Sequence, residues 1–377
     1  MISHIAWLAC WTSALLLVHV FVGYPVLVWL QARLRPQPVA RRAILPTVSI
    51  VIAVHDGAGF IRAKLASLQA LDYPPELIDI VIACDGCHDN TVTTARRSTD
   101  ARLTVLDYPN RRGKAACLND AVALTRGDVL LFTDVRQKLS PTALTELVAN
   151  LADPTVGAVG GELHMENVRT GFAQGVDFYW RYEKGIRHAE SRSGSTIGVS
   201  GALYAMRRSL FQPIPPGTVL DDVLVPMRVA AQGMRVVFEP RAMAWDQPSQ
   251  VPEDERRRKI RTLAGNYQLI QLAPWLLLPW RNPLWLRFVS HKLLRLLAPW
   301  LILTLTVSTG ALFTRHPMYA FAFCCLVAGA LMVGLARLRP ALGRLLPLRI
   351  AVAFFYLNLF AAQALLAFAR NRRLHLW

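Results

Sequence analysis

The chain has 377 residues, of which 53% are hydrophobic and only 18% charged, a balance that argues against a single water-soluble core and for a soluble unit with a membrane-embedded part. Its 42 Lys and Arg against 25 Asp and Glu give a net charge of +17, a surplus suited to nucleic acid, an anionic lipid surface or a phosphate-bearing substrate. The concentrated basic charge borders apolar runs, with Arg33, Arg35, Arg41 and Arg42 after the first and Arg256, Arg257, Arg258, Lys259 and Arg261 ahead of the later ones; that placement favours lipid headgroups and leaves nucleic acid out of the expected partners.

From Ile5 to Leu30 there is no Asp, Glu, Lys or Arg, and about 20 apolar residues suffice to cross the hydrocarbon core. A cleaved secretory leader is the competing reading, but no basic residue precedes the run, it exceeds a leader's apolar region, and no small-residue cleavage site follows. Residues 1–34 are therefore expected to stay as an anchor, and the basic flank places the chain from Arg33 onward in the cytosol.

Residues 45–250 are expected to form one cytosolic α/β domain, because short apolar runs alternate with amphipathic stretches as strands alternate with crossover helices around a mostly parallel sheet. Val48–Val54 is the first strand, and Gly59–Leu71 is a helix with Ile61, Leu65 and Leu68 on one face, closed by Asp72-Tyr73-Pro74-Pro75. Strands follow at Ile78–Cys84, Leu103–Leu106 and Val129–Thr133, with helices at Asp89–Ser98 and Lys114–Thr125. Ser140 reads as an N-cap with Pro141 at the first helical position.

Asp85 and Asp134 each directly follow a predicted strand. Ligands of open parallel sheets bind outside the carboxyl ends of strands, so both acids point to the expected crevice, although an Asp there also starts turns. Between them Asn110-Arg111-Arg112-Gly113-Lys114 opens a helix, where free N–H groups and the positive dipole end attract phosphate, and Lys114 suits a diphosphate. The six cysteines (Cys10, Cys84, Cys87, Cys117, Cys324, Cys325) give no disulfide framework and are read as reduced thiols.

Val48-Ser-Ile-Val-Ile52, the run from Ile80 through Asp85 to Thr91, Gly113-Lys-Ala-Ala-Cys-Leu-Asn119 and Leu131-Phe-Thr-Asp134 together resemble glycosyltransferase family 2, in particular its membrane-bound cellulose-synthase-like, exopolysaccharide-forming branch. The resemblance implies a GT-A fold (Rossmann-like, with a mostly parallel sheet), a nucleoside-diphosphate-sugar donor with a UDP-sugar favoured, Mg²⁺ or Mn²⁺, and inversion at the anomeric carbon. By position it implies donor contacts at Asp56, Asp85, Lys114 and Asp134, with Asp134 also holding the metal. Gly57 stands where the family usually has an acid, and Arg136 replaces the second acid of the metal motif. Other oxygens then complete the metal's shell, or Arg136 itself offsets diphosphate charge.

Leu220-Asp221-Asp222 precedes a predicted helix with Val225, Val229 and Ala230 inward. Adjacent acids at a helix start can be caps; the resemblance instead implies a catalytic pair, with Asp222 taking the acceptor proton and Asp221 orienting it. Arg261 matches the arginine of the Gln-x-x-Arg-Trp motif of processive relatives, with Thr262 in place of the aromatic and Gly265 at the expected interval. The basic run can equally contact anionic lipid. Gly201, within Gly198–Tyr204 ahead of Arg207 and Arg208, and Arg258 are the candidate acceptor contacts. Phe178, Tyr179, Trp180 and Tyr182 suit sugar stacking, core packing or membrane-interface anchoring.

Residues 251–290 read as a basic, interfacial segment, and 291–377 as membrane helices at about Leu293–Phe313, Pro317–Ala336 and Leu348–Ala369. These three crossings put Arg337, Arg339, Arg344 and Arg349 in the cytosol but the tail with Arg370, Arg372 and Arg373 outside, against the positive-inside rule. The runs are read as lacking ionisable residues that would line a transport path. The expected function is sugar transfer to a glycan or lipid-linked acceptor at the cytosolic face of a bacterial inner membrane, in exopolysaccharide or envelope-glycan synthesis. The alternative is a non-catalytic scaffold or export component of a polysaccharide assembly complex.

Overall fold

The computed structural model describes residues 2–165, 171–247, 252–338 and 346–370. Helix α1 (Ile2–Val18), a π-helical turn at His19–Gly23 and α2 (Tyr24–Leu34) run on as one helix, and Ser3–Leu34 is long and apolar enough to cross a membrane.

All seven residues of β1 (Val48–Val54) are buried, so this strand must be covered on both faces. It is followed by α3 (Ala58–Gln69), β2 (Ile78–Asp85), α4 (Thr91–Arg96), β3 (Leu103–Tyr108), α5 (Lys114–Leu124), β4 (Val129–Phe132), β5 (Lys138–Leu139), α6 (Ala143–Asn150), β6 (Val156–Met165), α7 (Gly171–Arg192), β7 (Tyr204–Arg207), α8 (Asp221–Ala231) and β8 (Arg235–Asp246). The eight strands form one sheet in the order β3-β2-β1-β4-β7-β6-β8-β5. β1 to β4 pair in parallel, β7 runs antiparallel to β4 and β6, and β6 pairs in parallel with β8.

Alternate residues of β1 supply two separate cores. Ile50 and Ile52 pack with Ile61, Leu65 and Leu68 of α3 and Leu144 and Leu147 of α6. Val51 and Ala53 face Ala115, Leu118 and Ala121 of α5 and Val223 and Met227 of α8. Because the chain builds outward from β1 to β3 and then returns to β1's other side as β4, the sheet has a switch point between β1 and β4, where a ligand crevice opens at the strands' carboxyl ends.

Helix α6 starts at Ala143, not at Pro141, and Ser140 is no side-chain cap: its hydroxyl is buried without a hydrogen bond, while its carbonyl accepts from Ala143 N–H at 2.9 Å. Beyond the sheet lie α9 (Pro252–Leu272), a 3₁₀ turn at Pro274–Leu277 and α10 (Trp285–Phe288). The segment is not simply afloat in the headgroup layer, because Leu269, Ala273, Leu276 and Phe288 are buried in the core shared with α5 and α8, while Trp280 faces outward.

A π-helical turn (Val289–Leu293), α11 (Leu294–Ala311), α12 (Pro317–Leu338) and α13 (Leu346–Arg370) complete the described chain. Trp285–Ala311, Pro317–Ala336 and Leu348–Arg370 are long and apolar enough to span, matching three expected runs after the anchor. The first begins eight residues earlier than expected and does carry ionisable groups. His291 bonds Glu190 at 2.8 Å and Glu183 at 2.9 Å, both on α7, and Arg295 pairs with Glu183. Tyr24 donates to Glu190. These groups are spent on docking α7 to the membrane helices. Tyr182 likewise donates to the Phe21 carbonyl at 2.8 Å and packs beside α2, so it is an anchor and not a sugar platform. The side chains of Phe178, Tyr179, Trp180 and Arg337, and residues Arg339, Arg344, Arg372 and Arg373, lie outside the described residues.

Gly57 explains one departure in the sequence. A Cβ there would stand 2.5 Å from Val54 Cγ2 and 3.3 Å from Val135 Cγ1, so the usual acid has no room. Gly57→Asp is expected to destabilise the domain by ~1–3 kcal/mol through overpacking, whereas Gly59→Ala, whose Cβ meets nothing within 4 Å, gains up to ~1 kcal/mol from helix propensity. Thermal melting of the two purified variants against the parent checks both signs.

Candidate active site

The site begins with a loop that must be held open-ended. Gly113 enters α5 at φ 89°, a left-handed value that favours glycine, and Asp85 at the end of β2 fixes the turn. Its carboxylate accepts from Arg112 N–H at 2.6 Å and Gly113 N–H at 2.8 Å, and the residue is fully buried. Gly86 permits the close approach, since a Cβ there would lie 2.7 Å from the Arg111 nitrogen. Both Asp85 oxygens are engaged with the loop, so the residue positions the turn that leads into α5.

That loop delivers Lys114 to the crevice. Its Nζ lies 2.9 Å from Asp134 Oδ1 and 3.4 Å from Asp221 Oδ2. Gly201 faces the same space: a Cβ on it would stand 3.4 Å from Lys114 Nζ and 3.6 Å from Asp222 Oδ2. Four expected site residues from three other chain segments, Asp134, Gly201, Asp221 and Asp222, thus gather around the Lys114 ammonium. The Gly198–Tyr204 segment also braces the acidic pair, with Val199 N–H donating to the Asp222 carbonyl at 3.0 Å. Arg207 and Arg208 point elsewhere, binding the carbonyls of Val156, Leu151 and Asp153 and the Thr125 hydroxyl.

The two acids at the start of α8 differ in access. Asp221 is buried and Asp222 partly exposed. Burial pushes the Asp221 carboxyl up to about 6; Lys114 opposes this, while Asp222 and Asp134 add to it. Burial alone would pull the Lys114 ammonium down, but Asp134 and Asp221 hold it well above its usual range, so it stays charged. Tyr204, stacked on Phe132 at 4.8 Å between centroids, floors the site with a buried hydroxyl that has no hydrogen-bond partner.

Arg136 does not face this cluster. Its Nη2 lies 2.9 and 3.0 Å from the two oxygens of Asp246 at the end of β8, and Gln137 donates to the same carboxylate at 2.8 Å. Arg136, expected to offset diphosphate charge, is paired here with a buried acid. Arg261 does reach the site. It is held close by Gly265, where a Cβ would meet Leu220 Cγ at 2.8 Å, and its buried Nε has no hydrogen-bond partner. Burial and Arg258 lower its affinity for protons, while Asp134, Asp221 and Asp222 oppose them. Arg258 lies one helical turn earlier, its carbonyl accepting from Thr262.

Asp56, two residues beyond β1, has φ 49°, strained for a residue other than glycine, and accepts from His88 N–H at 2.8 Å. With Cys87 and Asp89 it forms a group of ligand-type atoms within 4.8 Å of one another, but Asp89 is occupied by the N–H groups of Ala58 and Thr91. All six cysteines are free thiols.

Sequence patterning passed over Lys64. It sits fully buried in α3 and donates to Thr133 Oγ1 at 2.6 Å and to the Gln137 carbonyl at 2.9 Å, holding the loop that presents Asp134. Its only sequence signal is a charge beside the apolar face of a helix, which ordinarily points to solvent.

A hard cation such as Mg²⁺ or Mn²⁺ is commonly held by one or two carboxylates plus substrate phosphate oxygens and water. Asp134, one-third exposed, fits that pattern with one carboxylate.

The fold and these motifs find counterparts in known proteins. A family described as "Glycosyltransferase like family 2" matches residues 46–265, more than half of the chain. The chain belongs to this family. The chain is similar to the probable glycosyltransferase YdaM of Bacillus subtilis (strain 168), 25% identical over 241 residues that cover 60% of this chain and 56% of that protein. The poly-beta-1,6-N-acetyl-D-glucosamine synthase of Staphylococcus aureus (strain MSSA476) is 22% identical over 233 residues, again 60% and 56% of the two chains. The family-2 chain thus spans about half the length of the curated relatives it matches. Its fold is also that of the mannosyltransferase PcManGT from Pyrobaculum calidifontis, solved with GDP-Man and Mn²⁺: TM-score 0.71 and 22% identity over 99% of this chain and 100% of that one.

Asp221 makes the site's stability pH-dependent. Its folded-state value of about 6 exceeds the ordinary 3.8, so the folded protein holds the extra proton and stability is lost as pH rises through that window. Asp221→Asn removes this cost, and its melting temperature is expected to fall less between pH 5 and pH 8 than the parent's, as differential scanning fluorimetry at the two pH values will show.

Proposed function

We propose that this family-2 protein transfers a sugar from a nucleoside-diphosphate sugar, a UDP-sugar being favoured, to a glycan or lipid-linked acceptor, with inversion at the anomeric carbon. The reading places the sheet domain at the cytosolic face of a bacterial inner membrane and the reaction in exopolysaccharide or envelope-glycan synthesis. The observation that carries it is the convergence of Asp134, Asp221 and Lys114, with Asp222 bordering the same opening at the β1/β4 switch point. Likeness to a poly-beta-1,6-N-acetyl-D-glucosamine synthase supports the exopolysaccharide setting.

In this scheme Asp222, the exposed member of its pair, takes the proton of an acceptor hydroxyl as that oxygen bonds to the anomeric carbon and the bond to the diphosphate breaks. Lys114 and Arg261 meet the charge that gathers on the leaving diphosphate. Asp221 stays behind Lys114 and fixes its direction. Asp134 would hold the divalent cation, which supplies positive charge to the diphosphate oxygens. Gly201 leaves the acceptor room beside Asp222. Asp56 borders the nucleoside end, and Asp85 and Lys64 hold the two loops on either side.

Asp222→Asn is expected to cut transfer ~100- to 10,000-fold, the usual worth of a general base, while nucleotide-sugar binding survives; incubation of purified membranes with labelled nucleotide sugars reads the first and calorimetry the second. Unchanged turnover would refute the base assignment, and binding without turnover in the parent would favour the scaffold reading. Asp134→Asn should raise the divalent-ion concentration needed for donor binding at least about tenfold, loss of a charged ligand costing at least 1.4 kcal/mol.

A further inference from the structure

A second polar site lies at the membrane end of the molecule, away from the crevice. A cavity of about 670 Å³ opens between α2 and α7, lined among others by Trp29, Arg33, Glu162, Lys184, His188 and Arg192. The two helices meet through Tyr24, Val28 and Ala32 on one side and Ile186 and Ala189 on the other, which leaves a groove along their flank.

Its lining is cationic. Among the described residues Glu162 is the only acid that lines it, and it is matched by Lys184 at 2.5 Å. Arg33 and Arg192, both exposed, remain as the surplus charge. Lys184, His188 and Arg192 recur every four residues, so they form one stripe on α7.

The facing stripe on α2 is apolar and leads out of the cavity. Val22, Val26 and Trp29 are 56%, 48% and 52% exposed, and with Arg33 they follow the i, i+4, i+7, i+11 line of a helix. All four belong to the stretch long and apolar enough to span, with Arg33 in its last turn and its guanidinium 5.4 Å from the Trp29 ring centroid. A Trp and an Arg at the end of a spanning helix sit at headgroup depth. A soluble anion needs the charges but not the apolar stripe below them.

We propose that this cavity seats the headgroup of an anionic phospholipid, with its phosphate between Arg33 and Arg192 and an acyl chain along Val22, Val26 and Trp29. The site is separate from the sugar-transfer crevice: it requires α1 and α2 to lie in a membrane, but not that the chain has catalytic activity. Glu183 and Glu190, on the other side of α7, are already engaged with His291 and do not compete for the headgroup.

The test uses the full chain, reconstituted into phosphatidylcholine vesicles containing a minor share of phosphatidylglycerol, then gently re-extracted and weighed with its bound lipid by native mass spectrometry. Phosphatidylglycerol is expected to be retained over phosphatidylcholine. The double variant Arg33→Gln/Arg192→Gln loses roughly fivefold in affinity for each charge removed, whereas Arg62→Gln/Arg97→Gln, which removes two exposed charges from the sheet domain, keeps the parent's retention. Equal retention of the two lipids, or an equal loss in both double variants, overturns the site. Competition on the parent protein needs no variant to fold. Short-chain phosphatidylglycerol displaces the bound lipid and inorganic phosphate at the same concentration does not; equal displacement by phosphate would mean a free-anion site and sink the lipid assignment.

Discussion

A partly buried lysine ammonium surrounded by carboxylates organises this protein. Taking Lys114 and Asp221 out of water costs more than an isolated ion can recover, and the arrangement persists because each charge answers another: Lys114 lies 2.9 Å from Asp134 and 3.4 Å from Asp221. The balance is not complete, since Asp221 Oδ2 has no hydrogen bond and the Tyr204 hydroxyl beside it has none either. Unsatisfied polar groups buried at the carboxyl edge of a parallel sheet are costly to keep.

The rest of the architecture can be understood as support for that cluster. Asp85 ties down the loop before Lys114, Lys64 ties down the loop after Thr133, and Val199 bonds the carbonyl of Asp222. Gly265 lets α9 lie against Leu220, immediately ahead of the acidic pair, while Ala264 on the next position packs on Ala364 of α13. Helix α9 therefore connects the crevice to the membrane helices through small-residue contacts, the kind that tolerate little displacement.

Much of this was legible in the chain. The alternation of apolar runs with amphipathic stretches gave the order of strands and helices, and Val48–Val54 was recognisable from its unbroken apolar character. The acids at strand ends led to Asp134, and the Asp221–Asp222 pair was visible from its position before an amphipathic helix. What patterning missed was partnership. Asp85 looks like a ligand group by position, yet backbone amides of its own domain satisfy it. Arg136 looks free, yet Asp246 lies 110 residues away in sequence and 2.9 Å away in space. Lys64 resembles a solvent-facing charge, and only the tertiary fold closes over it. The ionisable residues of the membrane helix starting at Trp285 were hidden because hydropathy does not record that α7 carries their counter-charges.

The link between Arg136 and Asp246 also constrains how this chain can change. Restoring an acid at position 136 would leave Asp246 without its cation, held by the Gln137 amide and the Gln247 N–H, and would set a new negative charge beside a buried one. The family's second metal acid cannot return here by a single codon without repelling its neighbour. Positions 136 and 246 are coupled through their charges: an acid at 136 is accommodated only together with a change at 246 that removes the opposing carboxylate.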